Sequence, residues 1–593
     1  IQSAWQQYKM TPAPSVDDAR FLRRASIDIT GRLPEPDRVV KFLADTDPDK
    51  RSRAVDELLK SPGYARHWAD YWDALLMGRL TREAVIDRGK FKKWLHDEFA
   101  ANAPWDHTVR ELVAAEGWNS NTRPGNVDTD PPDMDSHYAP ATNWFLKYQK
   151  SLPELSGATS KVFLGVQIQC AQCHDHKTEK WKQEDFRQFT AFFVKTWPTI
   201  YDKKLVLGIH RLNTYERWFT PPVEGQHADY FASYKDYVKI SPRMLDGSEP
   251  TGATGRRKQL AEWMTARENP WFAPAMANRM WALFTGTGFV EPLDDFRSGN
   301  PPTLPAALDA LAADFRDHGY DVGRLIRVIC ATEAYQRACR QSGAPATASH
   351  DYWSAYPLKA LEIEVLYDIV LQATGADVSL GKHGTKATEL MRTSVARQFV
   401  TQMGTDDMAE VTNFEETIPR ALMLLNGALV NGTSRVSPDV ALGELVKQRD
   451  DAGVIEQLYL RTLSRRPTDA EQSAWKKFLQ ASRQRVQTAG PPSPVKTGAA
   501  AKVVDPQIAN APADADFKEL LDHAQSAADF GAMRKRLKNN ADGALFVKAY
   551  EAWAAEAPFQ NMAIQPGGQT PREQALEDVC WALINSTEFL TNH

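Results

Sequence analysis

The chain has 593 residues, 42% of them hydrophobic and 25% charged, with 71 Lys and Arg against 76 Asp and Glu for a formal net charge of -5. That length exceeds what one core organises, so several folding units are expected, and the charge balance offers no basic field to draw nucleic acid. No stretch approaches the ~18 uninterrupted apolar residues of a membrane span, and five cysteines are too few for a disulfide-stapled scaffold.

In chain order the pattern is helix after helix. Ser15-Val16-Asp17-Asp18 reads as a capped start, followed by Phe21, Leu22 and Ala25 at helical spacing. Thr46-Asp47-Pro48-Asp49 opens another helix, with Val55, Leu58 and Leu59 on one face, and Pro62-Gly63 reads as its end. His67 to Leu76 is dense in aromatics. Lys90 to Ala100 and His107 to Ala115 read as amphipathic helices. Leu152 to Phe163 predicts a helix leading into Cys170-Ala171-Gln172-Cys173-His174, and Glu184 to Phe193 one after it.

The run from Thr196 to Leu245 mixes Tyr, Trp, Val and Ile with Pro, Gly and Asn, and is expected to be the only β-containing part. Helical periodicity returns at Arg256. Leu308, Leu311, Ala312 and Phe315 share one face ahead of a Gly319 cap, and Leu358 to Leu371 is strongly apolar. Thr468-Asp469-Ala470-Glu471 and Thr570-Pro571-Arg572-Glu573 match capping boxes, while Thr488 to Asp516, rich in Ala, Pro, Gly and Lys, reads as a linker or surface excursion. The expected fold is mainly α, a multi-helical two-domain protein with a small β/irregular segment between the domains. Its divisions are residues 1–195, a β/irregular segment 196–255, a helical domain 256–483, an excursion 484–516, and helices 517–593 completing the second domain.

One motif carries specific chemistry. Cys-x-x-Cys-His is the attachment signature of c-type haem. Cys170 and Cys173 are spaced to form thioethers to the two vinyl groups, and His174 then supplies a nitrogen to the iron. The competing readings are half a zinc site, which lacks a second cysteine pair, and a thioredoxin-like redox pair, which lacks a βαβ context. One covalent haem c is therefore expected. His176 follows closely and is a candidate to bond a propionate, meet a second cofactor or line an opening. Cys330, Cys339 and Cys580 lie in apolar helical surroundings and read as small buried hydrophobes, with a Cys330–Cys339 disulfide as the alternative.

At this point the residues resemble a family of planctomycete and verrucomicrobial cytochrome c-like proteins of uncharacterised function, which pair an N-terminal haem-motif domain with a C-terminal helical domain. The N-terminal likeness rests on Phe21-Leu22-Arg23-Arg24 with Asp28, on Thr30-Gly31-Arg32-Leu33-Pro34, and on Phe163 to Gln169 running into the cysteine motif. The C-terminal likeness rests on Leu260-Ala261-Glu262-Trp263, Asn278-Arg279-Met280-Trp281, Gly286 to Pro292 with Asp294-Asp295-Phe296, Pro419 to Asn426, and Trp581 to Phe589. The resemblance implies haem roles for Cys170, Cys173 and His174 only, and it implies no reaction.

Other groups carry weaker chemical signals. Asp128, Asp130, Asp133, Asp135 and His137 form a carboxylate-rich loop that offers oxygen ligands to Ca2+, although its spacing is not that of an EF-hand; a solvated loop is the plainer reading. Asn278, Arg279 and Trp281 with Asp294 and Asp295 suggest a polar cluster at a domain junction, with Arg279 as a propionate clamp or a structural ion pair. The sixth iron ligand is not singled out by spacing. His67, His96, His107 and His137 are candidates for an acid/base group over an open iron face.

The functional expectation is an extracytoplasmic monohaem cytochrome, periplasmic or extracellular with its signal peptide removed, acting as a redox enzyme or as an electron-transfer component of a redox complex. Its partners would be a redox protein or a small organic or carbohydrate substrate. Two alternatives stay open: a binding or assembly scaffold with a structural haem, and a peroxidase-like haem enzyme.

Overall fold

A computed structural model describes residues 1–79, 85–121, 136–177, 179–200, 212–216, 232–251, 255–339, 352–377, 428–438, 440–489, 508, 516–523, 527–536 and 570–593. The Asp128–Asp135 part of the acidic loop, Pro419–Asn426 and residues 490–507 and 509–515 of the 484–516 excursion lie outside the described residues. The chain is mainly α, as its periodicity predicts.

The first helices are α1 (Gln2–Gln7), α2 (Asp18–Thr30), α3 (Pro36–Ala44), α4 (Lys50–Leu59), α5 (Pro62–Met77), α6 (Arg88–Ala100) and α7 (Trp105–Ala114). The cap of α2 is Asp17, whose side chain accepts from Arg20 N. Pro62 begins α5 rather than ending α4: at the first helical position a proline loses no intrahelical hydrogen bond, and Ser61 precedes it in extended conformation. Strand β1 (Gly117–Trp118), α8 (Thr142–Lys147) and α9 (Leu152–Thr159) come next. The expected helix to Phe163 instead loosens into a π turn over Ser160–Leu164, stops at left-handed Gly165, and restarts as a 3-10 turn over Ile168–Gln172. α10 (Gln183–Thr190), β2 (Thr196–Ile200) and β3 (Leu212–Glu216) follow.

Beyond residue 255 lie α11 (Arg256–Met264), α12 (Phe272–Thr285), α13 (Pro305–Asp317), α14 (Val322–Ala331), β4 (Lys359–Ala360) and α15 (Ile363–Thr374). The remainder comprises α16 (Ala428–Thr433), α17 (Ala441–Gln448), α18 (Asp451–Leu463), α19 (Asp469–Ala489), α20 (Phe517–Asp522), α21 (Ala527–Arg534), α22 (Pro571–Ile584), α23 (Thr587–Leu590) and β5 (Thr591–Asn592). The Thr570 capping box forms reciprocally with Glu573, and Thr468 pairs with Glu471 in the same way.

Strand structure is not confined to 196–245. β3 lies between β1 and β2 in an antiparallel sheet, and β4 pairs with β5, so the C-terminal residues return to the middle of the chain. That pairing also corrects the expected start of the 358–371 helix: α15 begins at Ile363, and Leu358 is 61% exposed.

Among the described residues, buried side chains form two hydrophobic cores. One gathers residues from Val16 to Leu245 together with Leu260 to Tyr356, on both sides of residue 256, and Leu460 from further along the chain. The other gathers Leu361 to Ala376, Leu429 to Leu479 and Ala575 to Phe589, with Ile27 and Leu33 from the N-terminal end. α2 joins them. Arg24, fully buried, donates to the carbonyls of Tyr335 and Arg337 and stacks 3.5 Å above the Tyr356 ring. Its neighbour Arg23 turns to the second core, donating to Thr462 O at 2.7 Å and Phe589 O at 2.9 Å. Burial holds the Arg23 guanidinium down, to about 10. These bonds meet part of the hydrogen-bonding needs of charges that would be costly to bury unpaired, while Arg23 Nε, Arg24 Nε and Arg24 Nη2 are buried without a partner among the described residues.

Candidate functional site

The cysteine turn is built outward from its backbone. Cys170 lies in the 3-10 turn and Cys173 is its C-cap residue, three positions further along. Both thiols are exposed and free, whereas Ala171 between them is fully buried and anchors the turn. The other three cysteines behave differently. Cys330 and Cys580 are buried, and burial pushes the Cys330 thiol well up and the Cys580 thiol to about 12. Cys339 is also free, so the Cys330–Cys339 disulfide does not form.

His174 is exposed just beyond the turn. Its Nδ1 lies 2.8 Å from the carbonyl of Asp175, which makes Nδ1 the protonated nitrogen and leaves Nε2 with its lone pair. That is the tautomer a metal-binding imidazole needs. His176 also lies outside any helix. Its Nδ1 accepts from Glu179 N at 3.1 Å, and its backbone N–H donates to Trp181 O at 2.8 Å, bracing the loop toward α10.

Several neighbours that sequence reading missed hold the turn in place. Gln183 Nε2 donates to the carbonyls of Gln172 (3.1 Å) and Cys173 (2.9 Å), and Gln183 N donates to Asp175 Oδ1 at 2.9 Å. Gly157 of α9 lets Gln169 approach so closely that a Cβ there would meet Gln169 Oε1 at 2.5 Å. Tyr237 lies nearby; burial pushes its hydroxyl up against the pull of Arg187, and Asp236 and Cys173 push it further. The sequence offers a faint signal for Gln183: Asp185 accepts from Lys182 N at 2.8 Å, a pattern typical of a helix start.

The second half of the chain reaches the same turn. Asp294, 1% exposed, accepts from Gln167 Nε2 at 3.0 Å and pairs with Lys161 at 3.2 Å, while Phe296 N donates to Gly165 O at 2.9 Å. Glu179 accepts from Ser298 Oγ. Lys180 sits over the rings of Trp181 and Trp271 at the entry to α12. The predicted polar cluster therefore divides. Asp294 serves the approach to the motif; Asp295 is held by Arg297 and Asn300. Asn278, fully buried, pins the loop after α12 through Val290 and Leu293. Arg279 is 3% exposed, and Trp281 packs on Phe289 and Trp353.

The candidate histidines are scattered. His96 lies beside Asp97 and His107 beside Glu98, both exposed; His137 faces the Tyr215 ring; His67 lines a cavity between α2, α5 and α12. Among the described residues no three or more His, Cys, Asp and Glu side chains gather as a metal-holding group, so the cysteine pair has no companions there for a four-ligand zinc site. Nor is any helix among them long and apolar enough to cross a membrane.

Comparison with known families places this geometry in context. Residues 1–197 match a family model described as PSCyt2, protein of unknown function (DUF1549). Residues 256–479 match PSD1, protein of unknown function (DUF1553), and the two matches in tandem fit an uncharacterised two-domain family. No curated protein and no solved structure matches the chain.

Proposed function

We propose that the chain carries one haem c, joined by thioethers to Cys170 and Cys173 with His174 Nε2 on the iron, and that it works outside the cytoplasm as a redox enzyme or an electron-transfer component. The observation that carries this reading is the pairing of two free, exposed thiols on one turn with an imidazole whose other nitrogen is already committed to Asp175 O. The donor set fits the group: both sulfurs are accessible for attachment, and the ligand nitrogen is the one left open. Bound there, the haem supplies a one-electron couple. Gln183 fixes the carbonyls that shape the turn, Asp175 orients His174, and the Asp294–Gln167 contact ties the segment before it to the second half of the chain. The family name PSCyt2 agrees with a cytochrome-like unit. Placement outside the cytoplasm follows from the attachment chemistry, and the partner is a redox protein or an organic, including carbohydrate, substrate.

The test is expression of the full chain through a secretory route together with c-haem maturation enzymes. Intact mass and a pyridine haemochrome spectrum should report one covalent haem. Cys170→Ala combined with Cys173→Ala should abolish it while leaving far-UV circular dichroism unchanged. Wild-type protein that matures without covalent haem under these conditions sinks the reading.

A further inference from the structure

The cluster around Asp28 brings an amine and an amide together on one carboxylate. β4 and β5 pair antiparallel over two residues each, with Lys359 directly opposite Asn592. Side chains opposite one another in a ladder are near neighbours, and here both end on the same atom. Lys359 Nζ donates to Asp28 Oδ1 at 2.9 Å, and Asn592 Nδ2 donates to it at 2.7 Å. The two nitrogens are therefore no farther apart than these two bonds laid end to end. The other carboxylate oxygen, Oδ2, accepts from the Tyr335 hydroxyl at 2.9 Å and the Tyr356 hydroxyl at 3.4 Å. Lys359 Nζ also donates to Leu283 O at 2.5 Å, which fixes the amine from the α12 side.

The setting is largely dry. Asn592 is 2% exposed, the Asp28 side chain is buried, and Tyr335 and Tyr356 are buried beside them. Asp28, Lys359 and Asn592, with Trp68 and Glu362, are among the residues that line the cavity of about 250 Å³ between α2, α5 and α12. Burial raises the Glu362 carboxyl from 4.5 to about 8, with Glu364 adding to the rise, Arg79 and Lys359 opposing it, and Asp70 adding further. At neutral pH Glu362 therefore keeps its proton and does not compete with Asp28 for Lys359.

We infer that Lys359 and Asn592 join in an intramolecular isopeptide bond, with Asp28 carrying the proton between them. Transfer of a proton from Lys359 Nζ to Asp28 frees the nitrogen lone pair, and in a buried pair neutralisation of this kind relieves the cost of holding two charges out of water. The lone pair attacks Asn592 Cγ. The Cγ–Nζ bond forms, the Cγ–Nδ2 bond breaks, and Nδ2 leaves as ammonia, which takes the proton held on Asp28 and departs as ammonium through the cavity. Nothing is oxidised or reduced, and no co-reactant enters. Closing to the ~3–3.5 Å of a reactive approach is a movement of the flexible four-carbon Lys359 stem. Burial also excludes the water that would otherwise hydrolyse the amide. The bond gives the C-terminal strand a covalent tie to the middle of the chain, where the ladder is only two residues long and all five cysteines are free. It stands independently of the haem.

The test is peptide mapping by mass spectrometry of the folded full-chain protein, denatured and cut with trypsin. Wild type should yield a branched peptide that joins the segment around Lys359 to the C-terminal segment carrying Asn592. Cleavage after Lys359 should fail in it, and its mass should be about 17 Da, one ammonia, below that of its two parts. Lys359→Arg and Asp28→Asn, each checked for folding by far-UV circular dichroism, should release the C-terminal peptide unlinked. Should Asp28→Asn fail to fold, Asp28→Glu supplies the comparison. It keeps a carboxylate but displaces it by one methylene, so on refolding from denaturant its branched peptide should accumulate at least about tenfold more slowly than that of wild type. The bond is overturned if wild type is cut after Lys359 and releases its C-terminal peptide unlinked. The role of Asp28 is overturned if folded Asp28→Asn links as fully as wild type, or if Asp28→Glu links as fast.

Discussion

The cysteine turn and the Asp28 cluster are opposite solutions to holding polar groups in place. The turn is local and open: Cys170, Cys173 and His174 are exposed, and their supports on the near side, Asp175 and Gln183, lie within eleven residues of the groups they hold. The Asp28 cluster is buried and long-range. Its four partners come from residues 335, 356, 359 and 592, and its carboxylate is 7% exposed. An open local turn can be altered cheaply and keeps its chemistry available, whereas a buried hub resists change because every partner left behind is desolvated.

The sharpest way to break this contrast is Asp28→Asn. It strips the counter-charge from Lys359 while preserving shape, and the expected loss is about 3 kcal/mol, at the low end for a broken buried pair because Lys359 keeps some solvent access. Scanning calorimetry should show a fall in the unfolding temperature of about 2 °C or more; an unchanged unfolding temperature would mean that the hub is not a hub.

Next comes a pH-graded effect at Glu362. The folded protein holds a proton at about 8 that the unfolded chain, at 4.5, releases. Stability is thus full below pH 4.5 and is lost progressively as pH climbs through 8. Glu362→Gln should flatten the decline in unfolding temperature across that window, and equal slopes in the two proteins would contradict it.

How much of this was legible follows from the distance over which each feature is built. The Cys-x-x-Cys-His run is five consecutive residues, and the haem chemistry proposed for it is read from their types and spacing. The capping boxes at Thr468 and Thr570 are equally local. Phe21-Leu22-Arg23-Arg24 displayed its helical face, but not that Arg24 reaches Tyr335 and Arg23 reaches Phe589, partners 311 and 566 residues away. The cavity was invisible for the same reason: Trp68, Lys359, Glu362 and Asn592 share no local pattern. Pro62 misled because proline both stops one helix and suits the first turn of the next.

A finer comparison lies within the approach to the motif. Gly165 has φ +66°, and a Cβ there would lie 2.5 Å from the Phe296 ring; Gly319 has φ +70° with nothing within 4 Å. Gly319→Ala should cost only the left-handed backbone, about 1 kcal/mol, and Gly165→Ala about 2 kcal/mol, because the ring must also move. Equal losses, read by calorimetry, would show that the Phe296 contact yields freely and that the two halves of the chain are only loosely joined at this point.

The smallest effect bears most directly on the turn. Gln183→Ala removes two hydrogen bonds to carbonyls that water can reach from outside, so the expected loss is only about 1 kcal/mol. The consequence should be local: amide hydrogen exchange over residues 172–175 should quicken, while exchange in α2 and α12 stays as in wild type. If the 3-10 turn were held chiefly by buried Ala171 and by Gln169 against Gly157, exchange at 172–175 would not change. Gln183 would then be an incidental neighbour, and the placement of His174 would depend on the N-terminal side of the motif alone.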